Sequence, residues 1–208
     1  MILGRGVALK GVGGGGGFTL LNHATSTSGG SSASLSGFDA TGADLLVILN
    51  TNYEITSVTD SESNTYTAAF YPGAGGSPAI YYCVNPSVSS SMTFTVSGNA
   101  NWFEVLSISG CDTGDALEDT SSAGGGVGTC TAAVDGSLFV VAANMNSADL
   151  TGLTIDSDFT MLSYVNHIGG NRYASAFAYK IKSGTGDESP TLSVTPGYGA
   201  MAVFNPAA

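Results

Sequence analysis

The chain has 208 residues, of which 43% are hydrophobic and only 10% charged, with a formal net charge of -11. So low a charge density, with Gly, Ser and Thr in the polar positions, excludes a helical bundle and suits short strands joined by tight turns. An acidic body repels phosphate backbones, which argues against nucleic-acid binding, and no segment reaches the roughly 18 consecutive apolar residues of a membrane-spanning helix.

Residues 1–17, MILGRGVALKGVGGGGG, hold Arg5 and Lys10 and no acid. This arm therefore carries +2, while sixteen acids against three bases leave -13 on the rest. Five consecutive glycines, Gly13 to Gly17, read as a swivel. Ile2, Leu3, Val7 and Leu9 add apolar contact area. A short basic arm on an acidic body reads as a docking segment for an acidic surface; the bland alternative is an untethered terminus. The arm lacks the apolar core and small-residue cleavage site of a secretory leader, so conventional export is unsupported.

The body begins at Phe18, and SASLSGF (Ser32 to Phe38) has the alternation of an edge strand. Six strand candidates follow: Asp44–Asn50, Ile55–Asp60, Thr65–Phe70, Ala79–Val84, Met92–Ser97 and Trp102–Ser109. Each is rich in Val, Ile, Thr, Tyr or Phe and bounded by turn residues. MTFTVS alternates strictly, as a strand with one wet face does. LLVILN is a continuous apolar run, as a strand covered on both faces is.

The set then recurs as Ser137–Asn144, Leu150–Ile155, Phe159–Val165, Tyr173–Lys182, Thr191–Thr195 and Gly199–Asn205. Residues 44–110 and 137–205 thus form an internal duplication, LLVILN matching LFVVAAN and AIYYCVN matching AFAYKIK, and order kept at a steady offset means a repeated structural unit. Residues 111–130 read as an insertion without a counterpart, with room for one helical turn at Asp112–Asp119. The expected fold is all-β: an antiparallel, jelly-roll-like β-sandwich built from a duplicated six-strand unit over residues 18–208. Two tandem sandwiches or one interleaved sandwich both fit. A copy of about 65 residues is marginal alone, which favours interleaving.

Asp60, Glu62 and Asn64 place oxygens at alternate positions in DSESN. Turn chemistry is the first reading and a calcium loop the second, because the glycine and distal glutamate of such loops are missing. Three cysteines leave at least one unpaired. Cys111 and Cys130 bracket the insertion, and a disulfide closing it is sterically sensible, although a chain without a leader keeps its thiols reduced. His23 and His167 stand in sequence without a nearby Cys or paired carboxylate. No nucleophile elbow, phosphate loop or paired-cysteine zinc spacing occurs. Alternation puts Trp102 and Glu104 on one strand face, a platform with an acceptor for a sugar; the bland alternative is an edge aromatic beside an outward carboxylate. Tyr53 and Tyr71, in loops, are interface candidates. No catalytic residue and no cofactor is assigned.

ITSVTDSESNTYT, AIYYCVNPSVSSSMTFTVSG and FEVLSISG together resemble β-sandwich virion proteins of tailed bacteriophages, those that decorate heads or form head and tail fibres. The resemblance covers most of residues 44–110 and, more faintly, 137–205, and it carries no catalytic residue. It implies a non-enzymatic structural protein of a virion, assembled in the host cytoplasm. A capsid decoration or cement protein is the first expectation, with Ile2, Leu3, Arg5, Val7, Leu9 and Lys10 docking on the major capsid protein or another virion protein, in a homo-oligomer such as a trimer. Its alternative is a receptor- or carbohydrate-binding module of a fibre or tail, using Tyr53, Tyr71, Trp102 and Glu104.

Overall fold

The computed structural model describes residues 17–26, 31–51, 55–72, 78–98, 102–145, 150–156, 158–166 and 174–208. Among these the chain is all β, with every paired strand antiparallel and no helix. The first half supplies β1 (Thr19–Ser26), β2 (Ser32–Phe38), β3 (Leu45–Asn50), β4 (Ile55–Asp60), β5 (Thr67–Phe70), β6 (Ala79–Val84), β7 (Met92–Gly98) and β8 (Phe103–Ser109). The second supplies β9 (Leu117–Gly124), β10 (Cys130–Ala132), β11 (Leu138–Met145), β12 (Thr160–Val165), β13 (Ala174–Ile181), β14 (Gly186–Glu188) and β15 (Pro196–Phe204).

Each half folds on itself. A five-stranded sheet β1-β8-β3-β6-β5 is faced by a three-stranded sheet β2-β7-β4, and a five-stranded sheet β12-β13-β11-β15-β9 is backed by the pair β10-β14. The strands of the two copies do not interleave, contrary to the expectation from copy length. The reason is that the unit is longer than the recognisable repeat. It includes β1 and β2 in the first lobe and β9 and β10 in the second, so each lobe has a second layer of its own. Residues 111–130 are therefore no insertion: β9 lies against β15 as β1 lies against β8. The expected helical turn before Asp119 is a turn leading into a strand. Leu150–Ile155 and Thr191–Thr195, expected as strands, keep only one bridge between Ile155 and Leu192.

The lobes pack through their large sheets. One core, including Leu45, Val47, Leu49, Leu106, Val140, Ala142, Phe177 and Phe204, lies between them. A second fills the first lobe, with Phe38 edge-on to Phe94 at 5.4 Å, and a third fills the second lobe around Phe139, Val141 and Met201. This layering explains the continuous apolar runs: β3 and β11 are covered on both faces and are buried at every residue. In β7 only Met92, Phe94 and Val96 are buried, because its other face is at the surface.

The two sheet orders are equivalent strand for strand, β1≡β9, β8≡β15, β3≡β11, β6≡β13 and β5≡β12. Contacts between lobes follow the same rule: β5 packs on β9, and β1 meets β12 through Thr25 and Ser163. The duplication thus generates an internal pseudo-two-fold axis running along the strands. Consequently both lobes share an upper pole, where β3 ends and β8 begins, and a lower pole, where β3 begins and β8 ends. Even the irregularities repeat. The shift between Ala68 and Phe70 in the β5–β6 pair matches that between Met161 and Ser163 in the β12–β13 pair. Together with the shift at Leu20/Asn22 in β1, these bulges blunt edge strands against pairing with other chains.

At the lower pole the backbone of Cys111 bridges to Pro206, the Asp112 amide donates to the Asn205 carbonyl (2.9 Å), and Ala207 donates to Gly110 (2.8 Å). Gly110, at φ 90°, has no room for a side chain: a Cβ there would stand 2.6 Å from the Gly17 carbonyl oxygen.

Candidate functional site

Glu104 is the one acidic side chain among the described residues that is wholly buried. Alternation along β8 turns Phe103 and Val105 into the first lobe and Glu104, Leu106 and Ile108 toward the second. A carboxylate in such a place is tolerated only if donors replace its water. Register supplies them. Thr25 lies opposite Glu104 in the β1–β8 pair, and His23, two residues back, shares its face. His23 Nδ1 sits 2.7 Å from Oε1, a hydrogen bond in which Nδ1–H donates when the carboxyl oxygen is the acceptor. The Thr25 hydroxyl donates to Oε2. The third donor comes from the other lobe, where the bulge in β12 aims the Ser163 hydroxyl at Oε2 (2.8 Å), 2.9 Å from the Thr25 hydroxyl.

This cluster joins the lobes with side-chain hydrogen bonds. The His23 side chain remains 26% exposed at the edge of the seam. A carboxylate-oriented imidazole is half of an acid–base device. The other half is missing among the described residues, because Ser163 and Thr25 point their hydroxyls at the carboxylate rather than at the imidazole. Beside the cluster, the Thr51 and Ser175 hydroxyls bond across the seam, and the Asn50 amide donates to the Trp102 carbonyl (3.3 Å).

On the opposite seam the places of Glu104 and Ser163 are taken by apolar side chains. Register pairs Glu104 with Leu49 and Ala200 with Ala142, making Ala200 the counterpart of Glu104; likewise Phe70 is the counterpart of Ser163. Ala200 is wholly buried and Phe70 packs against the same inter-lobe core. The fold puts hydrocarbon at these two positions of one seam and a buried carboxylate with its Ser163 donor in the other, while the β9 counterparts of His23 and Thr25 are the polar Thr120 and Ser122.

The sequence-derived candidates fall as follows. Glu104 has no exposed surface, so it cannot serve as the acceptor of a Trp102–Glu104 sugar platform. Trp102 is partly buried just before β8; Tyr71 is exposed just after β5, its ring 6.3 Å from that of Tyr81. Three strand spacings separate β8 from β5, about 14 Å, so Tyr71 and Trp102 share a pole but not a pocket. Tyr53, His167 and the docking residues Ile2, Leu3, Arg5, Val7, Leu9 and Lys10 lie outside the described residues.

Asp60 Oδ1 accepts the amides of Glu62 (2.9 Å) and Asn64 (3.1 Å), and its Oδ2 accepts the Asn64 side chain (2.9 Å) and the Tyr66 hydroxyl (2.6 Å). Glu62 accepts the Ser89 hydroxyl, and Asn64 Oδ1 accepts the Ser87 amide. Each member of the calcium candidate is thus tied into the turn. Burial, then the bond to Asp60, raises the Tyr66 phenol far above its ordinary value.

The Cys111–Cys130 disulfide is not formed, and all three cysteines are buried free thiols. Cys111 belongs to the core between the lobes and Cys130 to the core inside the second lobe, on opposite faces of the same sheet. Burial, with nearby carboxylates, pushes both thiols up to about 12.

Two described cations, Lys180 and Lys182, meet on Glu188 Oε1 at 2.8 and 2.6 Å, Lys180 also lying over the Phe159 ring. Burial raises the Glu188 carboxyl, but the bonds and charges of both lysines outweigh it and hold it below the usual range. His23, Thr25 and Ser163 were not marked by any sequence motif; the only signal was a charged residue inside an alternating strand. No known protein family, curated protein or solved structure matches the chain.

Proposed function

We propose that the chain is a non-enzymatic structural protein of a virion, a capsid decoration or cement protein that stabilises the shell. The first lobe supports this reading by its strand order, 1-8-3-6-5 facing 2-7-4, which resembles a jelly roll except that β5 extends the larger sheet; that arrangement is common in viral capsid and lectin domains, a fold-level analogy. The observation that carries the proposal is the way the basic segment is tied to the body. Phe18 is buried in the core between the lobes at the lower pole, and Gly17 is packed against Gly110. Residues 1–16, with Arg5, Lys10 and no acid, therefore join the two-lobed body at a packed point.

In this role Ile2, Leu3, Arg5, Val7, Leu9 and Lys10 dock on the major capsid protein or another virion protein. Binding the assembled shell and not its free subunits resists disassembly by mass action, and a homo-oligomer, such as a trimer, adds avidity. The test is sedimentation of the purified protein with capsids lacking it, followed by heating. We expect stoichiometric addition and raised heat resistance, both lost on deleting residues 2–12, with the circular dichroism of the body unchanged. Absence of binding by the full chain sinks the proposal; loss of the β signal on deletion sinks the division into arm and body. A second reading, a receptor- or glycan-binding module of a fibre or tail, is favoured by the aromatic side chains exposed at the upper pole.

A further inference from the structure

The lower ends of the two large sheets carry equivalent rows. Leu45 pairs with Ile108 and Val84 in the first lobe, and Leu138 pairs with Phe204 and Ile181 in the second. All six turn toward the space between the lobes. Ile108, Leu45, Phe204 and Leu138 are buried in its core, and Val84 packs against it. Ile181 follows Phe177 and Tyr179, both of that core, on the same side of β13 by alternation. Yet Ile181 is 39% exposed, the open member of the two rows.

The duplication says what belongs over it. With β1 across from β12 and β5 across from β9, the sheet orders place β8 opposite β13 and β6 opposite β15. Residues 110–116 run from the foot of β8 to the foot of β9, toward the corner of β6 and Val84, and they add Cys111 and Ala116 to the core. Their pseudo-symmetric equivalent is the segment that leads into β1, which is the basic arm. It arrives at the foot of β8, where Gly17 packs on Gly110 and Phe18 is buried. Ile181 stands opposite that foot, about one sheet spacing or 10 Å away. Gly13 to Gly17 span roughly 16 Å when extended, enough to carry Val12 and Leu9 across.

We propose that the Ile181 corner of the lower pole is the seat of the chain's own arm, with Leu9 and Val12 covering it in the free protein as the inter-lobe connection covers the Val84 corner. Charge fits this occupant. Residues 1–16 hold two bases and no acid. The turns of the pole hold Asp44, Asp112 and Asp135, whose carboxylates accept backbone amides among the described residues, so each keeps its negative charge for a cation nearby. Lys180 and Lys182 flank Ile181 in sequence but alternate to the other face, where both meet Glu188; they do not oppose the arm at its seat. Tethering also gives the arm a higher local concentration at this corner than any separate partner has. The seat goes beyond the decoration reading: it is a resting place from which a capsid would have to draw the arm.

Trypsin reads the seat, because Arg5 and Lys10 are two of only five basic residues. In the full chain, cleavage after Lys10 is expected to speed up at least about tenfold in Ile181→Asp, with circular dichroism and Trp102 fluorescence unchanged. Leu9→Ser/Val12→Ser leaves the body untouched; it is expected to speed the same cleavage in the parent and to add nothing in the Ile181→Asp background, since both changes break one contact. Protection in the parent is expected to be independent of protein concentration. Equal cleavage rates in parent and Ile181→Asp overturn the proposal, and so do additive effects of the arm and body changes. Protection that appears only at high concentration overturns it too, by giving the seat to the arm of a second copy. No capsid enters these measurements, so failure of the seat and failure of the decoration reading are told apart.

Discussion

Glu104 and Ala200 occupy equivalent places in the two large sheets, and the contrast isolates what a buried carboxylate contributes. Removing it alone strands three donors, His23, Thr25 and Ser163, in a part-buried seam. Glu104→Ala is therefore expected to cost about 2–4 kcal/mol in urea unfolding. The double variant Glu104→Ala/Ser163→Phe installs the Ala200/Phe70 pair and removes one of the three stranded donors, so it is expected to recover part of that loss while His23 and Thr25 stay without their acceptor. If the single variant is as stable as the parent, the cluster does not hold the lobes together. The sequence disclosed half of this site. Alternation in FEVLSI put Glu104 on the face of Leu106 and Ile108, but it could not say whether that face was wet. The layer that buries it comes from Ser163, 59 residues away, and neither His23 nor Ser163 carries a local mark.

Strands whose side chains alternate or run continuously apolar were legible to within one residue at each end: β3, β6, β7, β8 and β11 follow the runs LLVILN, AIYYCV, MTFTVS, FEVLSIS and LFVVAAN. β9 was not, because LEDTSSAG has no apolar period. It is held by backbone bonds to β15 at a sheet edge, where side chains decide little. Missing β9 turned a repeated element into an apparent insertion, and Cys111 and Cys130 into its apparent clasp. Their burial instead makes them pH-sensitive. The ordinary thiol value is 9.0, and both are raised to about 12 in the folded chain. Below pH 9 the thiols are protonated in both states and their contribution to stability is intact. Between 9 and about 12 the unfolded chain releases protons that the folded chain retains, so stability falls as pH rises. Urea midpoints are expected to decline across that window, and to decline less in Cys111→Ala/Cys130→Ala. Part of the slope remains, because Tyr66 is raised by the same cause, burial. Equal slopes in parent and double variant would contradict the burial of these thiols.

At the scale of the whole molecule the question is whether two lobes make one cooperative unit. The duplication was legible as a repeat with constant offset. Its packing was not, since period and composition are the same for interleaved and back-to-back copies. What decides is the inter-lobe core, where Leu45, Leu49 and Leu106 of one sheet meet Val140, Phe177 and Phe204 of the other, all buried. Separating the lobes would expose this face on both, so neither is expected to persist alone once the other unfolds. Leu106→Ala deletes hydrocarbon from the middle of that layer and is expected to cost about 2–5 kcal/mol. Two local reporters test whether the cost is shared. Trp102, the only tryptophan, reports on the first lobe, and the reactivity of the buried Cys130 thiol reports on the second. In urea both are expected to change at one midpoint, and Leu106→Ala to move both midpoints down together. If the Trp102 transition shifts while Cys130 stays protected to the parent's midpoint, the lobes fold independently and the layer between them is only a contact surface.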